Sequence, residues 1–153
     1  MQALELKIPP PIVALLVAIA MWGLAAWSTR VTAFTEARHV VALVLGISGA
    51  ALTVSGALAF RRARTTTSPL KPSTATSLVT SGVFRFSRNP MYAGLGVVLL
   101  AFAIFLGSMW ALLGPVAFIL YMNRFQIEPE ERALSNLFGS AFGDYQRRVR
   151  RWL

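Results

Sequence analysis

The chain has 153 residues, 56% of them hydrophobic and only 14% charged, with a net charge of +9, one histidine and no cysteine. One domain's length of chain this apolar, with its hydrophobic residues gathered into runs of about 20, reads as an integral membrane protein. The missing cysteines exclude disulfides, thiolate zinc sites and thiol catalysis, and the excess of arginine collects in particular loops as the positive-inside rule requires, with no nucleic-acid pattern beside it.

The first seven residues lack a basic leader, and no small-residue cleavage site follows the first apolar run, so that run is expected to be a retained helix. Pro9, Pro10 and Pro11 suit a first turn, where a missing N–H costs nothing, and a membrane helix is predicted over about 10–27 with Trp27 in the interfacial belt. A polar connector with Arg30, Glu36, Arg38 and His39 leads to the clearest span, 40–60. Ala42, Gly46 and Ala50 lie four apart there, with Gly49, Thr53 and Gly56 on neighbouring rows; small residues so spaced let helix backbones approach in lipid, within one chain or across a dimer seam.

Residues 61–88 form a long polar segment with Arg61, Arg62, Arg64, Lys71, Arg85 and Arg88 and no acid, which places it in the cytoplasm. Its Thr-, Ser- and Pro-rich first half is expected to be irregular, and its aromatic second half to be a functional loop. The uncharged stretch 91–122 is too long for one span. Gly107-Ser108 divides it into helices over about 89–106 and 109–125, and Gly114-Pro115 is expected to bend the second. From Glu128 an amphipathic helix is predicted over 128–151, its stripe formed by Leu134, Leu137, Phe138, Ala141, Phe142, Tyr145, Val149 and Trp152. Glu128, Glu130 and Glu131 in its first turn and Arg147, Arg148, Arg150 and Arg151 in its last both suit the helix dipole. The fold class is therefore all-α integral membrane, with about four transmembrane helices, a cytoplasmic C-terminal helix and both termini inside.

Hydrolytic and metal chemistry have little to work with. His39 stands alone at a helix edge, the few acids crowd one turn, and no Walker loop or Gly-x-Ser-x-Gly elbow occurs, so no metal site is expected. The remaining candidate joins residues 78–92 to the Glu-rich helix start. Pro90 holds Asn89 out of helical geometry, Ser81-Gly82 can turn backbone groups toward a ligand, and Phe84, Phe86 and Tyr92 can enclose a cationic group; an interfacial aromatic belt would use the same residues.

The run Leu-Val-Thr-Ser-Gly-Val-Phe-Arg-Phe-Ser-Arg-Asn-Pro-Met-Tyr-Ala-Gly at 78–94, an apolar hairpin, and then Glu-Glu-Arg-Ala-Leu-Ser-Asn-Leu-Phe-Gly at 130–139 resemble the isoprenylcysteine carboxyl methyltransferase and phospholipid methyltransferase superfamily. The likeness spans roughly 65–153. It implies S-adenosylmethionine bound in a membrane-side pocket and released as S-adenosylhomocysteine, with backbone contacts from Leu78, Val79, Ser81 and Gly82. Arg88, Asn89, Pro90 and Tyr92 match the family's Arg-His-Pro-x-Tyr element, Glu130 and Glu131 its Glu pair, and Tyr145 the second tyrosine of its tail. Asn89 replaces a frequent histidine, and Phe142 stands where a tyrosine is usual.

Arg88, Asn89, Glu130 and Glu131 are the candidates for catalysis. A carboxylate acceptor needs only orientation by an arginine, whereas an amine or thiol must lose a proton, and Glu130 or Glu131 is the nearby base. The expected activity is methyl transfer to a lipophilic acceptor: a prenylcysteine carboxylate, a phospholipid amine or a small hydrophobic thiol. The competing readings are a sterol-reductase-like NADPH enzyme and a non-catalytic scaffold that holds anionic lipid on its basic loops. The expected setting is the bacterial inner membrane, as monomer or homodimer, with no nucleic-acid partner.

Overall fold

A computed structural model describes residues 5–29, 35–63 and 77–153. The connector at Arg30 and the irregular half of the polar segment, with Arg64 and Lys71, lie outside the described residues. Those described are all-helical, without a strand.

Helix α1, Pro10–Ala26, opens on the proline triplet: Pro9 caps it in an extended conformation and Pro10 takes the first turn. It buries Val13, Ala14, Met21 and Ala25 and turns Leu15, Leu16, Ile19 and Trp22 outward; Trp27, 95% exposed, follows its end. Helix α2, Thr35–Arg62, is longer at both ends than the apolar run 40–60, because Glu36 suits its first turn and Arg61 and Arg62 its last. It is long and apolar enough to cross a bilayer; α1 and α3 are apolar but have 17 residues each.

Helix α3, Pro90–Leu106, packs closely along α2 through the small residues of both. A Cβ on Gly49 would stand 2.7 Å from the Gly94 carbonyl oxygen and 2.9 Å from the Val98 nitrogen, so only glycine permits this approach. Thr53 Oγ1 donates across the seam to the Met91 carbonyl at 3.3 Å. The small-residue stripe of α2 thus serves packing within the chain. Helix α3 ends on Gly107, which takes the left-handed conformation at φ +63°, and a 3₁₀ turn, Met109–Leu112, leads into α4, Leu113–Tyr121.

Three expectations need correction here. Gly114-Pro115 stands in the first turn of α4, directly after the 3₁₀ turn, and not inside one α-helix that begins at 109; Gly114 gives room to Met21 of α1. No break separates α4 from the acidic helix: α4, a π-helical segment Met122–Ile127 and α5, Glu128–Phe138, run on without interruption. The cause is Pro129, which has no N–H and whose ring crowds the carbonyl four residues back. A wider turn relieves that clash, and the Phe125 carbonyl accepts the Leu6 N–H instead, at 3.1 Å. Finally, the helix expected over 128–151 is two. Gly139, at φ +51°, divides α5 from α6, Ser140–Arg148. The stripe breaks with it: Phe142 and Tyr145 are buried, while Leu137 is exposed.

The Ser28 hydroxyl beyond α1 meets Ser108 at 2.6 Å, so the α1 end and the α3–α4 turn share one end of the bundle. The start of α1, the end of α2, the start of α3 and the start of α5 gather at the other. A core of Met21, Leu99, Phe118, Met122 and Ile127 lies between.

Candidate functional site

A cavity of about 400 Å³ occupies that second end, within the usual range for small-molecule sites of roughly 300–1,000 Å³. Three groups of residues form it: the prolines that open α1, the end of α2 with Phe60 and Arg61, and the 77–92 segment facing α5 and α6. The segment reaches it through Val79 and through Phe84, both buried, the latter carried on a 3₁₀ turn, Gly82–Arg85. Phe60 meets Phe84 edge-on with ring centres 5.0 Å apart. From α6, the Tyr145 hydroxyl donates to the Phe84 carbonyl at 2.7 Å, so α6 closes over the segment.

Of the residues singled out by sequence, Leu78, Val79, Phe84, Arg88, Asn89, Pro90, Tyr92, Glu130 and Glu131 all line the cavity. Ser81 and Gly82 do not. Both are exposed; Gly82 sits at φ +61°, and the Ser81 carbonyl accepts the Phe84 N–H at 3.2 Å, so their backbone shapes the turn. Phe86 is 74% exposed and turned away, leaving Phe84, Phe60 and Phe142 as the aromatic lining with Tyr92 and Tyr145.

The two glutamates differ in company. Glu131 faces cations on both sides: Arg88 at 3.0 Å and Arg151 at 2.6 Å. Glu130 accepts only neutral donors, the Tyr92 hydroxyl and the Gln126 amide, each at 2.6 Å on the same oxygen. Burial pushes its carboxyl up to about 7, the two hydrogen bonds pull it part of the way back, and the Glu131 charge adds a smaller upward push. Burial likewise raises Tyr145 to about 12, against a smaller downward pull from Arg88. Among the described residues, then, the cavity holds one carboxyl without a counter-cation. It also holds a buried guanidinium nitrogen, Arg88 Nε, without an acceptor.

Asn89, expected as a cofactor contact and a candidate for catalysis, is also a tie within the chain. Its side-chain N–H donates to the Arg151 carbonyl at 3.0 Å and its backbone N–H to Ser87 Oγ at 3.1 Å. Sequence reasoning missed Gln126, Phe60 and the proline triplet as parts of the site. The one available signal was the polar run Asn123, Arg124, Gln126 directly after uncharged helix.

Comparison with known sequences finds one family. The sequence model of a family described as phospholipid methyltransferase matches residues 37–141, more than half of the chain. A protein of Haemophilus influenzae, described only as uncharacterized, is 46% identical over 63 residues, which is all of that protein and 41% of this chain. No solved structure matches.

Proposed function

Since the chain belongs to the phospholipid methyltransferase family, we propose that it is a membrane enzyme that transfers a methyl group from S-adenosylmethionine to a lipophilic amine, with Glu130 as the proton acceptor. Helices α1, α2 and α3 and the continuous helical run 109–127 that contains α4 cross the bilayer, and the cavity opens at the cytoplasmic end. Outward-facing aliphatic residues such as Leu43, Ile47, Val116 and Leu120 support the spanning reading, and the arginines around the cavity support the orientation.

The cavity suits the cofactor in two respects: Glu130 offers a carboxyl that no cation neutralises, and Arg88 Nε offers a donor to a carboxylate or hydroxyl oxygen. When bound, S-adenosylmethionine supplies an electrophilic methyl on a positively charged sulfur and leaves as S-adenosylhomocysteine. The chain's own contribution is positioning and exclusion of water. Aromatic and proline side chains enclose the space, and the Glu131–Arg88 pair fixes the Arg88-Asn89 turn.

The observation that carries the choice of acceptor is the state of Glu130. A carboxyl poised near 7 can take the proton that an ammonium must lose before or as nitrogen attacks carbon; a carboxylate acceptor would need no such group. With the cofactor bound, transfer would form a carbon–nitrogen bond as the carbon–sulfur bond breaks, and Glu130 would hold the proton that the nitrogen gives up.

Calorimetry with S-adenosylhomocysteine on purified protein tests the cofactor, and labelled methyl transfer to a panel of phospholipid amines, prenylcysteine analogues and hydrophobic thiols tests the acceptor. Binding together with amine labelling that disappears in Glu130→Gln is expected. Labelling of the carboxylate analogue with Glu130→Gln still active would refute the base. Tight NADPH binding would favour the reductase reading, and affinity for neither nucleotide would leave a scaffold.

A further inference from the structure

The five residues after α6 connect three parts of the molecule that are distant in sequence. The Arg150 carbonyl accepts the Arg88 N–H at 2.9 Å, in a single parallel bridge between Ser87 and Arg150. The Arg151 carbonyl accepts the Asn89 side chain, and the Arg151 guanidinium reaches Glu131. Trp152 then packs its ring against the core and donates its indole N–H to Asn123 Oδ1 at 3.0 Å. Asn123 lies in the π-helical segment, three residues before Gln126, which holds Glu130.

We infer that residues 149–153 are a positioning strap for the cofactor side of the cavity, anchored by the hydrogen bond between Trp152 and Asn123. Neither anchor residue lines the cavity, so both act through others. Without the strap, Glu131 keeps only Arg88, and the Arg88-Asn89 turn loses two of the bonds that hold its backbone and side chain. A turn without those bonds has many orientations, and a ligand must then select one, which lowers its apparent affinity. The π turn matters for the same reason: its consecutive residues Asn123, Arg124 and Phe125 engage Trp152, Glu5 and Leu6, so both flanking segments grip one short stretch directly before Glu130.

This inference rests on the proposed cofactor site, and two readouts keep them separable. The variants are Trp152→Phe, which keeps the ring and loses the donor, Asn123→Ala, the two together, and Asn123→Asp, which keeps the acceptor. Hydrogen exchange of the peptide covering 86–92 needs no ligand; it is expected to accelerate about tenfold in Trp152→Phe and Asn123→Ala and to stay at the wild-type rate in Asn123→Asp. S-adenosylhomocysteine affinity is expected to fall about fivefold in the same two variants, with the double variant no worse than either, since one hydrogen bond is lost in all three. Unchanged exchange at 86–92 would overturn the strap whatever the ligand. Accelerated exchange with unchanged affinity, or losses that add in the double variant, would overturn its positioning role. A wild-type protein that binds no S-adenosylhomocysteine would overturn the cofactor assignment, and the positioning role with it.

Discussion

Replacing Glu130 with glutamine should abolish activity while stabilising the protein, by an amount that grows as pH rises from 4.5 to 7 and is complete above 7. The carboxyl binds its proton more tightly in the folded chain, at about 7, than at its ordinary value of 4.5. Below pH 4.5 it is protonated in both states and burial carries no ionisation penalty. As pH rises from 4.5 to 7 the unfolded chain releases the proton and the folded chain does not, so stability falls through that window. Above 7 the full cost is present: 7 − 4.5 is 2.5 pH units, or about 3 kcal/mol. Glutamine keeps an oxygen for the Tyr92 hydroxyl and has no charge to bury, so Glu130→Gln should match wild type at pH 4.5 and exceed it at pH 8. For a chain of this length the gain amounts to a midpoint shift on the order of 6–12 °C. Thermal unfolding in detergent across pH 4.5–8.5 reads it directly. Equal pH slopes for the two proteins would mean that Glu130 ionises freely when folded, and would remove the argument for it as a base.

The neighbouring glutamate should respond with the opposite sign: Glu131→Gln leaves Arg88 and Arg151 facing an uncharged amide and should cost about 3 kcal/mol at pH 8, read by the same unfolding assay. Tyr145→Phe removes the bond to the Phe84 carbonyl and should cost about 1–2 kcal/mol; with that hydroxyl held up to about 12, the loss should be constant between pH 6 and 9. Gly49→Ala forces α2 and α3 apart and should cost about 1–3 kcal/mol, whereas Gly23→Ala, with nothing within 4 Å of the added carbon, should gain up to about 1 kcal/mol from helix propensity.

What the sequence made legible were features that local chemistry marks. Pro90 after Asn89 and glycine at 107 each leave the chain few conformations, and the apolar runs mark the helices. The residues that meet at the cavity, Arg88 and Tyr92 with Glu130 and Glu131, carry functional groups unusual in so apolar a chain. Gly139 was legible too, since a glycine after Leu-Phe is a common helix stop, yet the i, i+3, i+4 pattern of apolar residues runs through it from Leu134 to Tyr145. Periodicity alone therefore counts one helix where φ +51° makes two. Phe86 misled for a different reason: an aromatic beside two arginines has the composition of a binding site, and only the 3₁₀ turn decides that Phe84 faces inward and Phe86 outward.

The π-helical segment was hidden for a deeper reason. Pro129 in the first turn of an acidic helix reads as a start, because proline is most at home there. An equally good solution is to continue the helix and widen one turn ahead of the proline. That solution is stable only if something else donates to the carbonyl the proline leaves free, and Leu6, more than a hundred residues earlier, supplies the N–H. Glu5 beside it reinforces the choice by pairing with Arg124 at 3.1 Å and Arg132 at 2.6 Å. The register of Gln126 and Glu130 relative to Tyr92, and with it the environment that sets the Glu130 proton affinity, is thus fixed by a contact no local pattern encodes. Disrupting Glu5 should accordingly reach the carboxyl proposed as the base: in Glu5→Gln the pH midpoint of kcat/KM is expected to fall from about 7 toward the ordinary 4.5, as a loosened turn admits water to Glu130. A midpoint that stays near 7 would mean that the wide turn holds itself, with Pro129 alone as its cause.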